Sequence, residues 1–135
     1  MAITINAAIT DLGRAAFADL TVNGTSFAVN EFEVGNGGHD PSNPITALTP
    51  DISLTELPGL TFGPEPIDET SLDDLFTPTF LCVLAQNEAV GELSNIGLFA
   101  TYTATSESFL FAIGNSPLRV KVDSEAVEFL VSVLF

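Results

Sequence analysis

Few side chains in this sequence can do chemistry. It holds one histidine (His39), one cysteine (Cys82) and one lysine (Lys121), beside the arginines Arg14 and Arg119. Acid–base and nucleophilic catalysis need such groups placed to act on one another. His39 stands beside Asp40 in a glycine loop, with no second histidine for a metal site, and is expected to be an exposed loop residue. Cys82 lies in the apolar run Phe80-Leu81-Cys82-Val83-Leu84, where a thiol reads as a small buried hydrophobe. A lone thiol forms neither an internal disulfide nor a cysteine zinc site. No Gly-x-Ser-x-Gly elbow and no His-Glu-x-x-His helix occurs. An enzyme is the poorest fit to these residues. No catalytic residue, metal ligand or cofactor is expected.

The carboxylates are more numerous. Glu65, Asp68, Glu69, Asp73 and Asp74 crowd the stretch 63–76. Oxygen ligands suit Ca²⁺, but the spacing does not match an EF-hand loop and no repeating aspartate ladder exists. The simpler reading is a solvated acidic loop, with a calcium or small-ligand module as its rival. A glycosidase carboxylate pair would lack the usual aromatic floor for a sugar, since the chain has no Trp and one Tyr.

Eighteen acids against three bases give a formal charge of −15. Three bases cannot neutralise a phosphate backbone, so a nucleic-acid partner is disfavoured. An anionic membrane surface is disfavoured for the same reason, and no run approaches the length of a membrane helix. The start, Met1-Ala2-Ile3-Thr4, has no basic and apolar stretch of signal-peptide type. A strongly acidic surface favours solubility and basic partner surfaces. The 135 residues suit one domain, and a hydrophobic share of 46% can build its core. Eleven phenylalanines supply bulk with no polar edge to satisfy.

These residues have to be positioned by elements that the pattern suggests. Residues 3–9 alternate as a strand. Thr10 fits a helix N-cap with Asp11 in the first turn. Leu12, Gly13, Ala16, Phe17 and Leu20 then share one side of an amphipathic helix of about three turns, which Asn23-Gly24 ends. Residues 26–34 read as a strand with a slip near Asn30 that suggests a bulge. Gly35 to Pro41 reads as a turn or loop. Residues 41–78 hold seven of the eight prolines and are the least regular part. Ile52, Leu54, Leu57, Leu60 and Phe62 could anchor them. Strands are expected at 79–86, at 95–103 with Ile96, Leu98 and Ala100 on one face, and at 109–113, ended by Gly114-Asn115-Ser116-Pro117. The next run places Leu118, Val120 and Val122 inward and Arg119, Lys121 and Asp123 outward. The fold expected is α+β: mostly antiparallel β-sheet or sandwich with one N-terminal amphipathic helix, as one domain over 1–135.

The last run, 127–135, is apolar on both faces. Phe129, Val131, Val133 and Phe135 lie on one, Leu130 and Leu134 on the other. Such a strand is either covered twice within the fold or covered by another subunit. Phe129, Val131, Val133 and Phe135 are therefore the candidate subunit interface.

Four segments, in order, resemble the N-terminal domain of phage tail-collar fibre proteins. They are Ile9-Thr10-Asp11-Leu12-Gly13-Arg14-Ala15-Ala16, Phe32-Glu33-Val34-Gly35-Asn36-Gly37-Gly38, Glu92-Leu93-Ser94-Asn95-Ile96-Gly97-Leu98-Phe99 and Leu110-Phe111-Ala112-Ile113-Gly114-Asn115. The resemblance implies a virion protein, made in the host cytoplasm, whose domain docks a trimeric fibre at the baseplate. Partners would be tail, baseplate or fibre proteins and further copies of the chain, most simply as a trimer. Family members continue into a shaft and a receptor-binding tip, whereas this chain ends at Phe135. The aromatic-basic segment that often precedes the third motif is replaced by Asn87-Glu88-Ala89-Val90-Gly91. The chain is thus expected to be an adaptor that does not touch the host. The alternative is another virion part, a capsid decoration or tail-tube protein.

Overall fold

The computed structural model describes residues 1–134. Strand β1 (Ala2–Ile9) leads into helix α1 (Asp11–Asn23), and β2 (Phe27–Gly35) follows. Two short strands, β3 (His39–Asp40) and β4 (Asn43–Ala47), pair with each other as a small separate ribbon. Then come β5 (Leu60–Pro66), β6 (Glu69–Asp73), β7 (Thr77–Leu84), β8 (Gly91–Tyr102), β9 (Ser108–Lys121) and β10 (Val127–Leu134). The architecture is mostly antiparallel sheet with a single helix. No helix among the described residues is long and apolar enough to cross a membrane.

Eight strands form one sheet in the order β5-β2-β8-β9-β1-β10-β7-β6. Every neighbouring pair is antiparallel except β1 with β10. The ladder pairing of β9 with β1 is limited to Ala8–Ile113 and Ile9–Ala112, and this short seam divides the sheet into two wings. One core fills the space between the wings. Ile3, Ile5, Cys82, Phe129 and Val131 enter it from one wing, and Phe32, Val34, Ile96 and Leu98 from the other. Each fully buried side chain of this size contributes about 1.5–3 kcal/mol. At the opposite corner the chain passes from β5 to β6 through Ile67 and Asp68. There the Ile67 N–H bonds the Asn30 carbonyl on β2, and the Asp68 N–H bonds the Leu81 carbonyl on β7.

Helix α1 forms where its capping residues put it. The Thr10 hydroxyl oxygen accepts from the Gly13 N–H at 3.0 Å and donates to the Leu110 carbonyl at 2.6 Å, tying the helix start to β9. Gly24 closes the helix with φ +70°. A Cβ on Gly13 would lie 2.6 Å from the Phe111 carbonyl oxygen, so only glycine lets the helix sit this close to the sheet. The pairing slip on β2 falls between Val29 and Glu31, as Asn30 suggested.

Two expectations are corrected. Gly114-Asn115-Ser116-Pro117 does not end a strand, because β9 runs through it to Lys121. Between the pairs Leu93–Arg119 and Asn95–Asn115, Ser94 alone faces Ser116, Pro117 and Leu118. A bulge of this kind leaves residues out of the ladder, which accommodates a proline that has no N–H. The bulge also changes which positions face inward. Ala112 belongs to the core upstream of it, and downstream Lys121 is buried while Val120 and Val122 are exposed. The expected facing is thus reversed for Val120, Lys121 and Val122, while Leu118 is half-buried and Arg119 and Asp123 are exposed as expected. The irregular stretch 41–78 carries short elements of its own: β4, β5, β6 and the start of β7. Of its five proposed anchors Leu57 is buried, Ile52, Leu54 and Phe62 are half-buried, and Leu60 is exposed.

Candidate functional site

The expected subunit interface is internal. Phe129, Val131 and Val133 are 2%, 0% and 1% exposed. They sit between β1 and β7, where Phe129 pairs with Ile3 and Cys82, and Val131 with Ile5 and Phe80. The chain's own core covers them, so they are not free to contact another subunit. Phe135 lies outside the described residues. The opposite face of β10 is the exposed one, with Leu130 and Leu134 turned to solvent. Alternation identified the two faces correctly, but it carries no information about which wing lies over which face.

The chemistry-bearing residues serve structure. The Ser94 hydroxyl accepts the Gly38 N–H at 2.8 Å and lies 2.9 Å from His39 Nδ1. The hydroxyl oxygen has two lone pairs, so it can bond both the amide and the imidazole, with the direction of the second bond set by the His39 tautomer. Sequence reading missed this serine–histidine contact, because 55 residues separate the partners. Ser94 is 1% exposed, beneath the glycine loop. His39 itself is half-buried, not exposed. Asn95 and Asn115 complete the clamp by donating to the carbonyls of Pro58 and Leu48. Their Oδ1 atoms have no conventional partner and lie against Gly35 and Gly38. A carbonyl packed on a glycine Cα–H makes a weak hydrogen bond.

Cys82 is fully buried, and its thiol is pushed up to about 12 by burial and then by the Asp68 charge. It stays a protonated, inert thiol at neutral pH. Lys121 is buried as well, with Nζ donating to the Ala85 and Gln86 carbonyls at 2.9 Å each. Arg14 and Arg119 remain as the bases whose side chains are exposed. The acids of 63–76 are strung along β5, β6 and their joint. Asp68 accepts the Val83 N–H and Asp73 the Thr79 hydroxyl. Among the described residues no three His, Cys, Asp or Glu side chains gather to hold a metal ion.

Among the concave features of the described surface, two adjoin β2. A cleft of about 290 Å³ is lined by Glu33, Glu56, Leu57, Leu60 and Phe99. Burial raises the Glu33 carboxyl above its usual range, and the charges of Glu31 and Glu56 raise it further. The second is an apolar groove of about 360 Å³, with Phe17 and Leu20 of α1, Phe27 and Val29 of β2, Phe111 of β9, and Thr70, Pro78 and Phe80 of β6 and β7 along its walls. Beside it the β6–β7 hairpin projects Leu72, Leu75 and Phe76, which are 63%, 80% and 80% exposed. Asp74 and Leu75 at its tip have φ of +45° and +73°. A left-handed leucine costs about 1–2 kcal/mol. Neither concavity was visible in the sequence, since each joins segments far apart in the chain.

Set against known proteins, the chain matches no family model, no curated protein and no solved structure. Its likeness to tail-collar fibre proteins is carried by the four short segments alone.

Proposed function

We propose that this chain is a structural component of a phage tail, an adaptor that docks fibre proteins to the baseplate through protein–protein contacts. The observation that carries the reading is where the four resembling segments lie. They occupy β2, β8, β9 and the β1–α1 junction, which are consecutive in the sheet order. They also interlock: Thr10 bonds Leu110, Val34 pairs with Ile96, Gly38 bonds Ser94 and Gly97 pairs with Ile113. The four segments therefore form one packed unit of the fold. The acidic exterior and the exposed apolar hairpin suit adhesion to other chains. The trimer implied by the resemblance would use surfaces other than Phe129, Val131 and Val133, since these are internal.

Mass spectrometry and reconstruction of purified particles test the reading. The chain should be found in the tail, at the fibre–baseplate junction. Its absence from assembled particles, or its location on the capsid, would overturn the assignment. A rival reading, a small-ligand module, is favoured by the Glu33–Glu56 cleft. It requires a ligand-dependent rise in melting temperature that Glu56→Gln removes.

A further inference from the structure

The groove lies where the sheet fails to close. Between Glu31 and Gly35, β2 is flanked by β5. The stitch at Ile67 ends that pairing. Beyond it, toward Phe27, no described strand adds to that edge of β2. On the far bank β6 is the last strand of its wing, paired with β7 on one side and with nothing described on the other. Phe27 and Val29 line one wall of the groove and Thr70 lines the other. An apolar slot therefore runs along an open strand edge.

We propose that β6 takes an added strand from a protein partner, an extended segment alternating apolar and basic residues. Backbone pairing along a free edge supplies affinity, and alternate side chains supply specificity. The register of β6 on β7 gives the two faces. Thr70 and Leu72 share the face of Phe80 and Pro78, while Glu69, Ser71 and Asp73 share the face of Leu81, Thr79 and Thr77. An incoming strand would drop its apolar residues into the groove beside Thr70 and Leu72. Its alternate residues would stand beside Glu69 and Asp73, where a positive charge is favoured and a negative one repelled.

Charge selects the occupant. A second copy pairing antiparallel through β6 would set Glu69 opposite Asp73 twice, and like charges directly opposite destabilise a sheet. The chain holds one basic–apolar alternation of its own, Leu118 to Val122, which is built into the end of β9 with Lys121 buried. The basic strand has to come from a different protein. This inference deepens the docking reading above by naming the surface and the partner's chemistry.

A synthetic peptide alternating valine and lysine, long enough to match the five residues of β6, tests the proposal by NMR. It should bind saturably, shift the amides of 69–73 and 27–29, and slow hydrogen exchange along β6. A version with alternate amides N-methylated should bind at least roughly tenfold more weakly, and so should the first peptide to Leu72→Lys. That variant keeps its fold because Leu72 is 63% exposed. Replacing Glu69 and Asp73 by lysine should transfer the preference to a valine–glutamate peptide. No saturable binding, equal binding of the methylated peptide, or indifference to charge would overturn the proposal. So would a concentration-dependent dimer with β6 amides protected, which would put a second copy in the slot. The particle assignment stands or falls separately: a chain located in the tail whose β6 ignores the peptide loses the slot but keeps its function, and a chain that binds the peptide but is missing from particles does the reverse.

Discussion

The two edges of the sheet are treated in opposite ways. At the β5 edge, Pro64 and Pro66 remove backbone donors, and two register slips against β2 disturb the ladder. The approach to that edge is also clamped, since the Asn36 N–H bonds the Gly59 carbonyl and Asn95 holds Pro58. At the β6 edge, Glu69 to Asp73 contain no proline, glycine or lysine, and all five residues are exposed. Proteins blunt the edges that must stay unpaired. The β6 edge is short and guarded by the charges of Glu69 and Asp73 instead, which repel a like strand and leave it open to the proposed basic one.

Substitutions can break or sharpen this contrast. The largest effect is expected on the clamped side. A Cβ at Gly38 would be driven into the Ser94 carbonyl and lie 2.8 Å from Asn115 Oδ1. Gly38→Ala should therefore cost about 3 kcal/mol, by the rule for overpacked sites, measured as a shift of the urea midpoint. A midpoint like that of the unaltered chain would mean the clamp yields, and the contrast dissolves. Asn95→Ala comes next. It strands the part-buried Pro58 carbonyl, at a cost of about 1 kcal/mol, and should speed exchange along β5 before it does so along β6.

On the open side the sign reverses. Leu75→Gly removes a side chain that is 80% exposed at φ +73°. It should raise stability by about 1 kcal/mol, and a loss of stability would show that the tip packs against its own chain. The smallest effect is at the cleft beside β5. The Glu33 carboxyl is raised by burial and by Glu31 and Glu56, so its charged form opposes folding. The folded state then binds its proton more tightly than the unfolded state does. The resulting stabilisation is full below the ordinary carboxylate range and is lost as pH rises through the raised value. Glu33→Gln should melt slightly higher than the unaltered chain near pH 7, with the gap closing toward about pH 4. A lower melting temperature near neutrality would mean that Glu33 is held by a favourable contact.

Much of the scaffold was legible in the residues themselves. Thr10 and Gly24 bracket the helix, Asn30 marks the bulge on β2, the alternation of 127–133 separates inward from outward faces, and Ile96, Leu98 and Ala100 reach the core, although their neighbours Asn95 and Gly97 are buried too. These are local signals, read from neighbours within a few positions. β5 and β6 were illegible because they are short and mostly exposed, so no apolar period was required of them.

The sequence by itself determined the β character, the helix and its caps, the acidic surface and the scarcity of reactive groups, since each follows from residue type and short-range spacing. Tertiary structure alone decided that Phe129, Val131 and Val133 are internal, that Lys121 turns inward past the bulge at Ser116 to Leu118, and that an apolar slot opens beside β6. Alternation says that a strand has two faces. Which of them meets the core depends on the strands that flank it, and for β10 those are β1, at the far end of the chain, and β7.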